Sequence, residues 1–143
     1  MSAERPIPER VSVLVVDDDL ALRLLLALLL ESAGYRPVAV GSVDRALERL
    51  VADGADVVVT DLAMPGRSGL ELLAALHAKR IDVPVIAMTG SDDDELRRVA
   101  VALGARAVLR KPFEPDQLYA AVAAALADAK RAPGRMARIA AAP

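Results

Sequence analysis

Four short apolar runs, each ending in a reactive polar side chain, constrain this chain more than any other feature of its sequence. The runs are VSVLVV, DVVVT, PVIAM and AVLR, and the residues that follow them are Asp17, Asp18 and Asp19, then Asp61, Thr89 and Lys111. Each run is apolar at nearly every position, which is typical of strands buried on both faces of a parallel sheet. Because such sheets bind ligands beyond the carboxyl ends of their strands, we expect these polar residues to share one crevice.

Helical segments alternate with strand-like runs along the chain. The pattern predicts strands over about residues 11–16, 36–40, 56–60, 83–88 and 105–110. It predicts helices over about residues 20–33, after Ser42 to 52, after Ser68 to 79, from Ser91 to Gly104, and from Pro115 onward. Five βα units with short connections predict an α/β fold with a doubly wound five-stranded parallel sheet, flavodoxin-like (βα)5, strand order 2-1-3-4-5. In that order the topological switch point lies between the first and third strands, which lead into Asp17–Asp18 and Asp61.

Composition narrows the class of protein. At 143 residues the chain fits one domain, and its 55% hydrophobic but only 2% aromatic residues predict an aliphatic core. The net charge of −2 argues against direct nucleic-acid binding over the whole domain. There is no cysteine, which excludes disulfides and thiolate metal sites, and the only histidine, His77, lies in a predicted surface helix.

The ends of the chain differ from its middle. Residues 1–10 form an N-terminal lead without a signal-peptide pattern, and residues 11–128 form the predicted domain. Residues 129–143 are a basic tail rich in Ala, Pro and Arg, which we expect to be solvated. The longest leucine-rich run, residues 24–30, is too short to span a bilayer. We therefore expect a cytoplasmic protein without a membrane partner.

The carboxylates after the first and third strands suggest a cation site. Asp17 and Asp18 repel each other and resist burial unless a cation joins them, and oxygen-only ligands suit Mg²⁺. Asp19 is better explained as the cap of the following helix. Across the switch point Asp61 can share the cation and attack phosphorus with its free oxygen, a form of covalent catalysis. The peptide oxygen of Ala63 is well placed as a further ligand.

Thr89 and Lys111 complete a set suited to phosphoryl transfer. This reaction requires positioning and neutralisation of charge on the phosphoryl oxygens more than acid–base groups. Lys111 supplies a point charge and Thr89 a hydroxyl donor. Pro112 favours an abrupt turn, and a cis peptide bond there would aim the lysine side chain.

The motifs VLVVDDD, VVVTDLAMPGRSGLELL, VPVIAMTGS and AVLRKPF together resemble the receiver domain of bacterial two-component response regulators. The resemblance covers about residues 11–127 with all four motifs in order. It implies that Asp61 accepts a phosphoryl group from a sensor histidine kinase or phosphotransfer protein. It further implies that Asp17 and Asp18 hold Mg²⁺, that Thr89 is the switch hydroxyl and that Lys111 contacts the phosphoryl group. Such a domain is a signalling switch rather than a metabolic enzyme.

Two departures from the family pattern bear on switching. Many receivers carry an aromatic residue where this chain has Val108, so an aromatic rotamer switch is not available. Ala63 and Ser91 stand at the two positions that flank the phosphoryl site, and neither offers an acid or amide to position hydrolytic water.

Several alternatives stay open on the sequence alone. We expect a stand-alone receiver that passes its signal to an unknown downstream protein or to a second copy in a homodimer. It could instead be the excised receiver of a longer regulator, with residues 131–143 as the start of a linker. A haloacid-dehalogenase-type phosphohydrolase would use Asp17-x-Asp19 and Asp92-Asp93, but Lys111 follows those late acids instead of preceding them. A pseudo-receiver would keep the fold for binding only.

Overall fold

A parallel sheet of five strands forms the centre of the molecule, as the apolar runs predicted. The computed structural model describes residues 10–131. The strands are β1 (Ser12–Val16), β2 (Arg36–Val40), β3 (Val57–Asp61), β4 (Val85–Thr89) and β5 (Ala105–Arg110). The helices are α1 (Leu20–Ser32), α2 (Val43–Ala52), α3 (Gly69–Lys79), α4 (Asp94–Ala102) and α5 (Pro115–Arg131). The strand order is β2-β1-β3-β4-β5, and the paired strands are parallel, which confirms the predicted topology.

Helices cover both faces of the sheet, which explains why the inner strands are apolar throughout. Every residue of β1, β3 and β4 is buried. Within β1, Leu14 and Val16 pack into one core with side chains of α2 and α3, whereas Val13 and Val15 pack into the other with α1 and α5. The largest fully buried side chains are Leu, Ile, Met and Val, so the aliphatic core predicted from composition is confirmed.

The helix ends follow the predicted capping signals at most positions. Asp19 caps α1, with its side chain accepting hydrogen bonds from two backbone amides of the first turn. Ser68 and Glu71 form the predicted capping box of α3. Gly34 follows α1 with φ of 96°, a left-handed conformation that favours glycine. Pro115 is the first residue of α5.

Several predicted boundaries were wrong by one to three residues, three of them for a clear physical reason. The helix α4 begins at Asp94 with Asp93 as its cap, because the Ser91 hydroxyl instead accepts from the Asp93 amide in a turn before the helix. The strand β3 extends through Asp61, which pairs with Met88 of β4. The strand β4 begins after Pro84, which has no amide hydrogen to donate to the ladder.

The last helix continues beyond the predicted end of the domain. The boundary between domain and tail was placed at residue 128, but α5 runs to Arg131. The rest of the predicted basic tail, and nearly all of the N-terminal lead, lie outside the described residues. Within residues 10–131 no helix is long and apolar enough to cross a membrane.

Candidate functional site

The ends of four strands bring the predicted site residues to one edge of the sheet. Asp17 follows β1, Asp61 ends β3, Thr89 ends β4, and Lys111 follows β5. Asp61 pairs in register with Met88, the residue before Thr89. Thr89 in turn pairs with Arg110, the residue before Lys111. The order of the strands therefore places carboxylates, a hydroxyl and an ammonium side by side.

Lys111 connects the acids that follow two neighbouring strands. Its Nζ donates to Oδ2 of Asp61 at 3.0 Å and lies 3.5 Å from Oδ2 of Asp17. Asp17 is fully buried and Asp61 is 5% exposed, whereas the lysine side chain is 26% exposed. The Lys111 amide also donates to the Thr89 carbonyl at 2.7 Å, and the Lys111–Pro112 peptide bond is cis. The ammonium thus closes a largely buried ion-pair cluster.

The acids of this cluster outnumber its cation. Carboxylate oxygens of Asp17, Asp18 and Asp61 lie within 4.8 Å of one another. Three carboxylates and the Lys111 ammonium give a formal charge of −2 (three negative charges less one positive). A divalent cation would cancel this charge, and three oxygen donors match the preference of Mg²⁺. Asp18 is exposed, so a cation held here would keep part of its water shell.

The pKa directions follow from this arrangement. Burial raises the pKa of Asp17 above 3.8, although the Asp19 amide and Lys111 act in the opposite sense. Burial alone would lower the pKa of Lys111, but the hydrogen bond and charge of Asp61, together with Asp17, outweigh it and raise that pKa above 10.5. The site therefore favours the cationic form of Lys111, while burial disfavours the ionised form of Asp17.

The backbone after β3 holds the second oxygen of Asp61. Oδ1 accepts from the Ala63 amide at 3.1 Å, so the two carboxylate oxygens have different partners. Gly69, the first residue of α3, lies directly against this loop, where a Cβ would be 2.3 Å from the Asp61 carbonyl oxygen. Gly69 was not among the residues predicted for the site. Its lack of a side chain lets α3 approach the end of β3.

Thr89 begins a series of side-chain-to-backbone hydrogen bonds that reaches α4. Its Oγ1 accepts from the Ser91 amide at 3.0 Å, and Oγ of Ser91 accepts from the Asp93 amide at 2.9 Å. Oδ1 of Asp93 then accepts from the Glu95 amide at 2.9 Å as the cap of the helix. The hydroxyl at the end of β4 is thereby linked to the first turn of α4.

An apolar groove of about 490 Å³ adjoins the ion-pair cluster. Lys111 forms part of its wall, and the remaining lining residues are Leu22, Leu25, Leu26, Leu29, Pro112, Phe113 and Pro115. Leu24 and Leu28 of α1 are more than half exposed but do not line the groove. Lys111 therefore belongs both to the ion-pair cluster and to the wall of the apolar groove.

The sequence profile of the response regulator receiver domain matches residues 13–123. This range includes all the residues of the cluster. The chain belongs to the response regulator receiver family. Domains of this family serve in two-component systems as signalling switches, accept phosphoryl groups from histidine kinases and bind Mg²⁺ at an acidic cluster.

Relatives of the receiver domain include full-length regulators. The transcriptional regulatory protein FixJ of Azorhizobium caulinodans is 44% identical over 119 residues, which cover 83% of this chain and 56% of FixJ. The sensory transduction protein RegX3 of Mycolicibacterium smegmatis is 38% identical over 115 residues, which cover 80% of this chain and 50% of RegX3. The chain therefore spans about half the length of these relatives.

Solved structures of receiver domains have the same fold. The receiver domain of the Francisella response regulator 1452 superposes with a TM-score of 0.79 at 28% identity, over 83% of this chain and 98% of that one. The chemotaxis response regulator CheY4 of Vibrio cholerae gives a TM-score of 0.76 at 28% identity, over 82% and 99% of the two chains. The predicted family and fold are both confirmed.

A basic side chain that was not among the predicted site residues also bonds to the backbone beside the cluster. Arg23 lies in α1, and its Nη1 donates to the Asp17 carbonyl at 2.9 Å. It is the only basic residue in the sequence LALRLLLALLLES of this helix. Its isolation among apolar residues is the sequence signal that could have identified Arg23, because a single arginine in an apolar helix needs a partner for its charge.

Proposed function

We propose that this receiver domain is a phosphorylation switch in which Asp61 accepts a phosphoryl group from a histidine kinase or a phosphotransfer protein. The contact between Lys111 and Asp61, next to the Asp17 and Asp18 carboxylates, is the observation that carries the proposal. An ammonium beside one acceptor oxygen, in a site with excess negative charge, suits a reaction that brings a phosphoryl dianion to a carboxylate.

Each side chain has one task in the proposed reaction. An oxygen of Asp61 attacks phosphorus, a P–O bond forms, and the P–N bond of the donor phosphohistidine breaks with its electron pair returning to the imidazole ring. Lys111 moves its ammonium from the carboxylate to the phosphoryl oxygens, where the new charge develops. Thr89 donates its hydroxyl to another phosphoryl oxygen.

The residues present fit the Mg²⁺ ion that the family binds. Asp17, Asp18 and Asp61 would hold it, together with the Ala63 carbonyl that the sequence analysis proposed as a further ligand. When bound, the ion would neutralise charge on the transferring phosphoryl group. Burial without full compensation already raises the pKa of Asp17, which supports a cation requirement at this position.

The hydrogen bonds from Thr89 to α4 supply a route for the signal. When the Thr89 hydroxyl turns towards the phosphoryl group, its bond from the Ser91 amide is lost, and the loop that carries the cap of α4 shifts. Arg97 of α4 donates to the Val108 carbonyl at 2.9 Å, so α4 is tied to β5 at the position where many receivers have an aromatic ring. The output is a change in the surface of α4, β5 and α5.

The groove beside Lys111 favours a protein as the phosphodonor. A donor that brings a phosphohistidine to Asp61 must cover the surface next to Lys111, and that surface is apolar. The downstream partner is a protein or a second copy of the domain, and the proposed location is the cytoplasm. The proposal concerns the domain itself, whether it acts alone or within a longer regulator.

The phosphohydrolase alternative gains no support from the site. Asp19, the second acid of its nucleophile motif, caps α1. Asp93, which it would use as a late acid, caps α4, and Asp92 pairs with Arg110 at 2.7 Å. These acids have structural partners away from the cluster.

Chemical trapping of the modified residue tests the proposal. The protein is treated with acetyl phosphate and Mg²⁺ and then reduced with borohydride, which converts an aspartyl phosphate to homoserine. We expect peptide mass spectrometry to find homoserine at position 61. Homoserine at another aspartate, with Asp61 intact, would refute the assignment.

A further inference from the structure

The guanidinium of Arg23 occupies the gap between the ends of β1 and β2. The ladder of these two strands ends where the Asp17 amide donates to the Val40 carbonyl at 3.1 Å. Both strands end here, and Nη1 of Arg23 donates to the Asp17 carbonyl at 2.9 Å. An arginine side chain thus takes the place of the next strand-to-strand hydrogen bond.

Gly41 provides the space for this guanidinium. A Cβ built on Gly41 would be 2.5 Å from Nη1 of Arg23, which is closer than non-bonded atoms approach, and 3.4 Å from Cζ of the same side chain. The φ angle of Gly41 lies outside the left-handed region, so the position needs glycine for its small size and not for its backbone conformation. The chain therefore has an arginine and a glycine that fit each other at the edge of the acidic cluster.

The bonded carbonyl belongs to the peptide that joins Asp17 to Asp18. The Asp17 carboxylate is held by other contacts, namely the Asp19 amide at 2.8 Å and Lys111 at 3.5 Å. The Asp18 side chain is exposed, so its direction depends on the backbone that carries it. A charge-assisted hydrogen bond to this peptide restricts its rotation.

We infer that Arg23 is a positioning residue that orients the Asp17–Asp18 peptide for cation binding, and that Gly41 is required because it makes room for the guanidinium. This inference rests on the proposed Mg²⁺ site. Groups that orient metal ligands without touching the metal commonly contribute about 10-fold to 100-fold in metal affinity.

Charge and positioning predict opposite effects when Arg23 is changed. A positive charge close to a cation site repels the cation, so loss of that charge alone would make Mg²⁺ bind more tightly. Loss of positioning makes Mg²⁺ bind more weakly. Arg23→Met keeps most of the apolar stem but removes both the charge and the donor, so the direction of the change in affinity separates the two roles.

Gly41→Ala gives a second variant that leaves the arginine in place. The added methyl group must displace the far end of the Arg23 side chain, since that is the atom it would contact. We expect Gly41→Ala to weaken Mg²⁺ binding as Arg23→Met does. In the Arg23→Met background the same methyl group meets no guanidinium, so the double variant should bind about as weakly as either single variant.

Isothermal titration with Mg²⁺ measures these affinities without any phosphorylation step. We expect Arg23→Met and Gly41→Ala each to weaken binding about tenfold. Arg23→Lys should restore part of the loss, because it keeps a cationic donor. Arg45→Met, which removes an exposed arginine of α2, is the control for a change in net charge and should bind as the wild type does. Far-UV circular dichroism confirms that each variant is folded.

The outcomes distinguish failure of this inference from failure of the proposed function. If the wild type binds Mg²⁺ while Arg23→Met binds it equally or more tightly, Arg23 has no positioning role. If the effects of Gly41→Ala and Arg23→Met simply add, the glycine acts independently of the arginine and the pairing is wrong. If the wild type itself binds no Mg²⁺, the proposed cation site and this inference both fail.

Discussion

The ammonium of Lys111 and the carboxylate of Asp61 form a 3.0 Å ion pair between residues that are 50 positions apart in the sequence. The pair exists because β5 and β3 both end at the same edge of the sheet, with β4 between them. It places a cation beside the proposed phosphoacceptor before any phosphoryl group arrives.

Lys111→Met should destabilise the metal-free protein. Removal of the ammonium leaves the largely buried Asp17 and Asp61 carboxylates without their cation, and we expect the free energy of unfolding to fall by about 2 kcal/mol. Urea denaturation in EDTA measures this change. Lys79→Met, at the exposed end of α3, is the control and should have little effect.

The contribution of Lys111 to the free energy of unfolding should disappear at high pH. Its pKa is raised in the folded protein, so its contribution to stability is complete below 10.5 and is lost as the pH rises through the higher folded value. The difference in the free energy of unfolding between wild type and Lys111→Met should therefore persist at neutral pH and become smaller in strongly alkaline buffer. A difference that stays constant across this range would mean that the lysine stabilises the fold through its stem and not its charge.

Asp17→Asn should stabilise the protein in EDTA while abolishing its response to Mg²⁺. Burial makes the ionised carboxylate unfavourable, and asparagine can still accept from the Asp19 amide, so we expect a gain on the order of 1 kcal/mol at pH 7. Because the pKa of Asp17 is raised in the folded protein, its destabilising effect is complete above that folded pKa. The effect is lost as the pH falls below 3.8, where the residue becomes protonated in both the folded and the unfolded state. Thermal melts at several pH values measure the difference.

The matched comparison for this change is Asp18→Asn. Asp18 is exposed, so Asp18→Asn should change the free energy of unfolding in EDTA only slightly. Like Asp17→Asn, it should weaken Mg²⁺ binding. Equal stabilisation by both variants would show that general repulsion among the acids matters more than the burial of Asp17.

The fold and the members of the site could be predicted because each has a local signal. The apolar runs identify the strands, and the side chain after each run is placed by the strand order alone. The start of α4 could not be predicted in this way. Ser91 and Asp93 both suit a cap, and the choice depends on the Ser91 hydroxyl accepting from the Asp93 amide in the folded turn.

Contacts between residues that are distant in the sequence could not be predicted either. The fit between Arg23 and Gly41 depends on where α1 lies against the ends of β1 and β2, which no sequence period encodes. The need for glycine at position 69 likewise arises from a tertiary contact, because a Cβ there would lie 2.3 Å from the Asp61 carbonyl oxygen. Both are tertiary features, and they lie next to predicted site residues.

Ser91→Ala should uncouple α4 from Thr89 without preventing phosphorylation. The Ser91 hydroxyl accepts from the Asp93 amide, between Thr89 and the helix cap, and its removal costs a hydrogen bond worth about 1 kcal/mol. We expect beryllofluoride to change amide hydrogen exchange in the first turn of α4 in the wild type and to change it much less in Ser91→Ala. Ser42→Ala, which removes a serine cap from α2, should leave the response of α4 intact. An unchanged response in Ser91→Ala would exclude this route.

Leu25→Arg should impair phosphorylation by a protein donor but not by a small molecule. Leu25 is 50% exposed and lines the groove beside Lys111, so a charge there would be buried against the donor and should slow transfer about tenfold or more. The assay compares acetyl phosphate with a histidine kinase that phosphorylates the wild type. Leu28→Arg, also exposed on α1 but not lining the groove, is the control. Equal slowing with both phosphodonors would point to damage at the site itself.

Intact-mass spectrometry after incubation with acetyl phosphate and Mg²⁺ tests the central claim most directly. The wild type should gain one phosphoryl group, Asp61→Asn should gain none, and EDTA added beforehand should prevent the gain in the wild type. Equal phosphorylation of Asp61→Asn would contradict the assignment of Asp61. A wild type that neither gains a phosphoryl group nor binds beryllofluoride would contradict the proposal that this receiver domain is a phosphorylation switch.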